Sequence, residues 1–156
     1  MSDEQPYIVW TEELKTDFPT IDNQHKKIID IANNLHSSLG SDNLQELIKT
    51  HLSQLKRYSA VHFRFEEKIL QDHNYFLLNE HECLHDAYIG ELLKLEERFS
   101  ALEKRFPNIL IYEEIEPFAW KVLRFVSQWW LHHILVEDKK YMDFLQKLAD
   151  TYDSGS

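Results

Sequence analysis

Residues 58–67 read Tyr-Ser-Ala-Val-His-Phe-Arg-Phe-Glu-Glu, and residues 79–85 read Asn-Glu-His-Glu-Cys-Leu-His. The first stretch holds His62 four residues before Glu66, and the second holds His81 four residues before His85. On an α-helix, residues four apart lie on the same face, one turn from each other. Each pair therefore directs two donor groups to one place, which is the local geometry that a metal ion requires. Because the chain has nine histidines, one such pair arises easily by chance, and the prediction depends on further ligands at the same helical phase.

The composition predicts an all-α protein. The 156 residues include only 3 glycines and 4 prolines, and 43% of them are hydrophobic. Apolar residues at helical spacing predict helices over about residues 21–39, 42–72, 76–105 and 117–149. Short links between the first three helices favour an up-down-up-down antiparallel four-helix bundle. We expect one domain over residues 1–156, with an N-terminal extended arm (1–20) and a disordered tail (150–156). Residues 106–116 form a connector, for which we expect an extra turn or a lid.

Charge and cysteine content narrow the classes of partner. A net charge of −10 argues against nucleic acid or an anionic membrane surface, since both require clustered lysine and arginine. The N-terminus lacks the pattern of a signal peptide, and no apolar run approaches the roughly 20 residues of a membrane span. With a single cysteine, Cys83, we expect a soluble protein of the reducing cytoplasm. Cys83 lies about 200° around the helix from His81, so we assign it no metal role.

Three polar residues fall on apolar helix faces. His25 lies on the line of Ile21 and Ile28, and a histidine in a buried stripe needs a partner. Glu66 lies inside the apolar face of its helix, whereas Glu67 points away. His133 continues the stripe of the fourth helix, and His132 is about 100° off it. In an antiparallel bundle these side chains come to one level together with His62, His81 and His85.

Five histidines and a buried glutamate at one level predict a metal site. Five imidazoles are too many for one ion that keeps an open position, and the carboxylate suits a bridge between ions, so we expect two metals. Imidazole and carboxylate without thiolate favour iron, and fit zinc or manganese less well.

The chain resembles the hemerythrin family, in its bacterial single-domain form, over nearly its whole length. The motifs are Ile8-Val9-Trp10, Ile21-Asp22-Asn23-Gln24-His25-Lys26, His62-Phe63 with Glu66-Glu67, His81 with His85, and Trp129-x-x-x-His133-Ile134-x-x-x-Asp138-Lys139-Lys140-Tyr141. The resemblance implies reversible dioxygen binding at a non-haem di-iron centre, for oxygen storage, delivery (oxygen transport) or sensing, and not an enzyme. It leaves any protein partner unknown.

The resemblance also implies a ligand set. One iron takes His81, His85 and His133, and the other takes His25 and His62. Glu66 and Asp138 bridge the two irons together with an oxo or hydroxo group. One position stays open on the iron with two histidines, where dioxygen is the ligand. The residues implied to line this oxygen pocket are Trp129, Trp130 and Ile134.

The sequence departs from this pattern in several places. Spacing alone selects Glu137, four residues after His133, whereas the resemblance selects Asp138, which is about 140° from His133 on an ideal α-helix. Trp130 stands where the family usually has leucine, so we expect altered oxygen affinity and autoxidation. Asp17 replaces a usual glycine in the arm, and the link between the third and fourth helices is longer than expected.

One alternative function uses the same residues. A di-iron oxidase, an oxygen- or NO-reducing enzyme or an iron-handling protein could carry such a centre, with slow oxidase or reductase activity. Two observations favour oxygen binding instead. Five neutral imidazoles are less suited to high-valent iron than a carboxylate-rich set, and no Glu-x-x-His pair of the ferritin-like kind falls on the inward faces.

Overall fold

Four helical rods form the bundle, and no strand occurs in residues 5–106 and 112–155, which the computed structural model describes. The first three rods are α1 (Pro19–Ser37), α2 (Leu44–Asp72) and α3 (Leu78–Arg105). The fourth rod is continuous and consists of α4 (Tyr112–His132), a π-helical segment (His133–Asp138) and α5 (Lys139–Asp153). Both α1 and α3 contact α2 and α4, which confirms the predicted four-helix bundle. None of the described helices is apolar enough, over a sufficient length, to cross a membrane.

The apolar core is divided into a larger and a smaller cluster. On α1, Ile21 belongs to the smaller cluster and Ile28 to the larger one. On α2, Leu70 belongs to the smaller cluster and Phe63 to the larger one. His25 and Glu66 fall between these positions on their helices. The candidate metal ligands therefore form a polar layer between two apolar ones.

The turn between α2 and α3 fixes the level of the ligands on both helices. Asn74 adopts the left-handed conformation, with φ of 54°. The backbone N–H of Tyr75 donates to the Leu70 carbonyl at 2.9 Å, and that of Asn74 donates to the Gln71 carbonyl at 3.1 Å. These two bonds make a Schellman motif, in which asparagine tolerates the left-handed position better than most residues. Because the link is this short, the end of α2 and the start of α3 lie side by side.

The N-terminal arm is attached to α1 at two places. The Asn33 side chain accepts from the Ile8 N–H at 2.8 Å and donates to the Ile8 carbonyl at 2.9 Å. Further along, the Asp22 carboxylate accepts from the N–H and the hydroxyl of Thr16, at 2.9 and 2.8 Å. Asp17, which we noted in place of a glycine, adopts a left-handed φ of 65°, a conformation that glycine favours. The arm also contains a short 3₁₀ turn (Glu12–Leu14) that the sequence did not predict.

The π-helical segment changes which acidic residue faces the core. A segment with i→i+5 hydrogen bonding holds more residues per turn than an α-helix, so the fifth residue lies closer to the side of the first than it does in an α-helix. Asp138 is accordingly fully buried, whereas Glu137 is partly exposed and accepts two hydrogen bonds from Lys140, at 3.0 and 3.1 Å. The choice of Glu137 by spacing assumed an ideal α-helix, and the structure departs from that assumption here.

Two predicted boundaries of the fourth rod are wrong. Helix α4 begins at Tyr112 rather than near Pro117, which lies inside it. The proline removes only the hydrogen bond to the Glu113 carbonyl, close to the helix start, so the helix accommodates it. At the other end α5 continues to Asp153, where we expected a disordered tail, and the hydrogen bond from the Thr151 hydroxyl to the Lys147 carbonyl supports the last turn. Residues 107–111 of the expected connector lie outside the described residues.

The Asn33 clamp gives a prediction about stability. Replacing Asn33 with Ala removes both partners of the buried Ile8 backbone, and we expect a loss of about 1–2 kcal/mol of unfolding free energy. Urea unfolding of the two proteins measures the loss. The matched control is Asn34→Ala, because Asn34 is exposed on the same helix. An equal effect of both substitutions would contradict a specific role of the clamp.

Candidate metal centre

Seven buried side chains converge from all four rods, and we call them the ligand cluster. At most 3% of each residue is exposed. Helix α2 contributes a histidine and a glutamate one turn apart, and α3 contributes two histidines one turn apart, as the spacing predicted. The members of the cluster are His25, His62, Glu66, His81, His85, His133 and Asp138.

The histidines of the ligand cluster form two groups. The Nε2 atoms of His25 and His62 lie 3.1 Å apart. In the other group, the Nε2 atoms of His85 and His133 also lie 3.1 Å apart, with His81 next to both rings. Two nitrogen donors at right angles around one ion, each ~2.1 Å from it, are separated by about 3.0 Å. The spacing in both groups is therefore that of ligands sharing an ion.

Glu66 connects the two groups. Its Oε2 lies 3.2 Å from the His62 Nε2. Its Oε1 lies 2.6 Å from the His81 Nε2 and 3.3 Å from the His85 Nε2. One carboxylate oxygen thus faces the two-histidine group and the other faces the three-histidine group.

Asp138 spans the groups in the same way from the opposite rod. Its Oδ2 lies 3.4 Å from the His25 Nε2. Its Oδ1 lies 3.1 Å from the His133 Nε2 and 3.5 Å from the His81 Nε2. Both carboxylates can therefore bridge two ions.

The electrostatics of the carboxylates fit bound cations. Neither oxygen of Asp138 has a hydrogen-bond partner among the described residues, and none of its surface is exposed. Burial raises the pKa of Asp138 well above its usual range, and the charge of Glu66 raises it further. Burial also acts to raise the pKa of Glu66, but its interactions with His62, His81 and His85 outweigh burial and hold it well below the usual range. A buried carboxylate without donors is costly unless it is neutral or bound to a metal.

Side chains around the ligand cluster hold the imidazoles in place. The Nδ1 of His62 lies 2.7 Å from the Gln24 amide oxygen, and the Nδ1 of His85 lies 2.7 Å from a Glu67 carboxylate oxygen. Since both oxygens accept, each Nδ1 carries the proton and each Nε2 keeps its lone pair for a metal. Tyr141 donates from its hydroxyl to the Glu66 Oε2 at 2.9 Å.

Sequence reasoning did not find the roles of Gln24 and Glu67. Glu67 does point away from the core, as expected, but it reaches across to α3 and is only partly exposed. Each of these residues is next to a cluster member in the chain and contacts an imidazole on another helix. Periodicity along one helix carries no signal for such a contact.

The three residues predicted to line an oxygen pocket lie in different surroundings. The Trp130 ring centroid is 5.7 Å from those of both His25 and His62, on the two-histidine side. Trp129 instead stacks on His133 at 4.4 Å, on the three-histidine side. Ile134 is buried in the same apolar cluster as Trp130. Of the two tryptophans, Trp130 is thus the one next to the two-histidine side.

The remaining histidines and the cysteine lie elsewhere. His36 stacks on Tyr7, and His51 pairs with Gln54. His73 and His132 are exposed, and so is Cys83.

Metal-free protein should lose stability in mild acid. Burial lowers the pKa of His25 and His85, and lowers that of His133 to about 3. Below about pH 6.5 the unfolded chain takes up protons at these positions, whereas the folded chain excludes them. The unfolding free energy therefore decreases as the pH decreases, by up to about 1.4 kcal/mol per pH unit for each histidine. The raised pKa of Asp138 has the opposite sign and reduces the total slope. Urea unfolding at several pH values between about 6.5 and 4.5 measures that slope.

The contribution of His133 to this slope can be separated with a neighbouring control. His133→Ala should reduce the proton uptake on unfolding by about one proton and so flatten the pH dependence of the unfolding free energy. His132→Ala is the matched control, because it removes an exposed histidine from the adjacent position. Equal slopes in the two variants would contradict the burial of a neutral His133.

The choice between the adjacent acids can be tested by metal binding. Asp138→Asn removes the charge of a proposed bridge, so we expect ferrous ion to bind at least roughly tenfold more weakly at one of two sites. Glu137→Gln is the matched control and should bind as the unmodified chain does. Anaerobic ferrous titration measures both, and a larger loss in the Glu137 variant would contradict the geometry.

Comparison with known proteins agrees with this arrangement. The family model of the hemerythrin HHE cation binding domain matches residues 16–145. The chain is 31% identical to a bacteriohemerythrin of Methylococcus capsulatus over 135 residues, 86% of this chain and 93% of that protein. It is 30% identical to a bacteriohemerythrin of Clostridium acetobutylicum over 138 residues, 86% of this chain and 98% of that protein.

A solved structure is similar along the same length. The crystal structure of a leucine-to-alanine mutant of hemerythrin superposes with a TM-score of 0.72 at 29% identity, covering 89% of this chain and 97% of that chain. Sequence and structure together show that the chain belongs to the hemerythrin family.

Proposed function

We propose that this protein binds dioxygen reversibly at a non-haem di-iron centre, for oxygen storage, delivery or sensing. The observation that carries the proposal is the division of the ligand cluster into two groups joined by two carboxylates. Oxygen binding by the hemerythrin family supports the same conclusion.

The distances support the proposed ligand set. His81, His85 and His133 would hold one iron, and His25 and His62 would hold the other. Glu66 and Asp138 would lie between the two irons as carboxylate ligands of both. When bound, the iron pair would supply the electrons for reversible dioxygen binding. The two-histidine side offers one protein donor fewer, so it is the side that would be left open to a small ligand.

Buried side chains surround the His25–His62 side and orient the proposed ligands. Trp130 and Phe63 are buried and stack at 5.5 Å, which excludes water from the side of His25 and His62. Gln24 and Glu67 fix the orientation of their imidazole partners. Burial raises the pKa of Tyr141 well above its usual range, so its hydroxyl stays protonated and continues to donate to Glu66.

The test is iron stoichiometry with visible spectra before and after exposure to oxygen. We expect two ferrous ions per chain, no visible band under anaerobic conditions, and a charge-transfer band that appears with oxygen and vanishes on its removal. If a single exposure to oxygen leaves the iron centre in a stable oxidised form, that result would instead favour a di-iron oxidase or reductase. One iron or none per chain would overturn the proposed centre.

A further inference from the structure

The two histidine groups differ in what supports their imidazoles from outside the ligand cluster. On the three-histidine side, a carboxylate oxygen of Glu67 lies 2.7 Å from the Nδ1 of His85. On the two-histidine side, the amide oxygen of Gln24 lies 2.7 Å from the Nδ1 of His62. The two contacts have the same length and the same kind of donor. They therefore differ in the charge of the acceptor, which is a carboxylate in one case and a neutral amide in the other.

A carboxylate partner makes the imidazole a stronger metal ligand. A hydrogen bond to an ionised acceptor is roughly twice as strong as one to a neutral acceptor. A carboxylate at the outer nitrogen also raises the basicity of the nitrogen that faces the metal, and it fixes the orientation of the ring. The ring of Phe63 stacks on that of His85, with centroids 3.8 Å apart. His85 is thus held by both a charged acceptor and a stacked ring.

The second histidine of the two-histidine group has no such support. None of the surface of His25 is exposed, and its Nδ1 has no hydrogen-bond partner among the described residues. An imidazole whose outer nitrogen is unpaired is less well oriented for a metal than one that donates to an acceptor. The two-histidine side therefore has one donor fewer, and neither of its imidazoles is paired with a charged acceptor.

We propose that the two metal positions fill in order, the three-histidine position first, and that Glu67 is the positioning residue that strengthens this first site through His85. This inference rests on the proposed function, and specifically on its two-metal centre. When metal is scarce, the protein then consists of chains with one ion on the three-histidine side, rather than a mixture of empty and fully loaded chains. The second ion binds more weakly and is the first to leave.

Titration of the metal-free chain with cobalt(II), without oxygen, tests the order. At one equivalent, native mass spectrometry should find mostly chains with one ion, and the second ion should bind at least roughly tenfold more weakly than the first. In His25→Ala the first binding constant should stay within about threefold, and the second should be lost. A single affinity for both ions, or loss of the tighter site in His25→Ala, would overturn the inference.

Two charge substitutions test the role of Glu67. Glu67→Gln keeps the shape and an acceptor oxygen but removes the charge, and the first cobalt ion should then bind roughly tenfold more weakly. Gln24→Glu gives the two-histidine side a carboxylate of its own, and the second ion should bind roughly tenfold more tightly. A purely structural role of these positions would not produce that gain. An unchanged constant in either variant would overturn the role of the charge.

An exposed acid next to His85 provides the control for charge. Asp86→Asn removes one negative charge from the adjacent position on α3, and both cobalt constants should stay within twofold. A loss as large as that in Glu67→Gln would show a general effect of net charge and would contradict the specific contact. Uptake of fewer than two cobalt ions by the unmodified chain would overturn the proposed centre as well. The titration does not measure oxygen binding, so the order of filling is tested separately from reversible binding.

Discussion

Two carboxylates without solvent contact constrain the centre of this bundle more than any other feature. Glu66 and Asp138 are fully buried, and each lies within 3.5 Å of imidazole nitrogens from both histidine groups. Removing a carboxylate from water is costly unless it is paired or bound to a metal, and here the second carboxylate adds to that cost. Cations held between them would satisfy both carboxylates at once. Burial lowers the pKa of His133 to about 3, which keeps that imidazole neutral and able to act as a donor.

The backbone departs from ideal geometry where this constraint requires it. Asp138 reaches the centre only because the fourth rod changes to π-helical hydrogen bonding between His133 and Asp138. A uniform α-helix would direct Asp138 elsewhere and present Glu137. The Schellman turn at Asn74 serves the same layer, because it sets Glu66 on α2 beside His81 on α3. Local irregularities of this kind are frequent at functional sites.

The sequence predicted the bundle, the five histidines and Glu66 because each of them follows the 3.6-residue period of an amphipathic helix. Periodicity alone favoured Glu137 over Asp138, and it placed the start of α4 near Pro117, which lies inside the helix. Asp138 entered the ligand set only through resemblance. The partners of the imidazoles could not be predicted either, since their contacts cross between helices.

The two tryptophans next to the ligand cluster cover its two sides differently. Trp129 stacks on His133 at 4.4 Å, on the three-histidine side. Trp130 is almost fully buried, and its ring centroid is 5.7 Å from those of both His25 and His62. A group that approached the side with fewer protein donors would therefore meet the bulk of Trp130, so this one side chain limits the space beside His25 and His62.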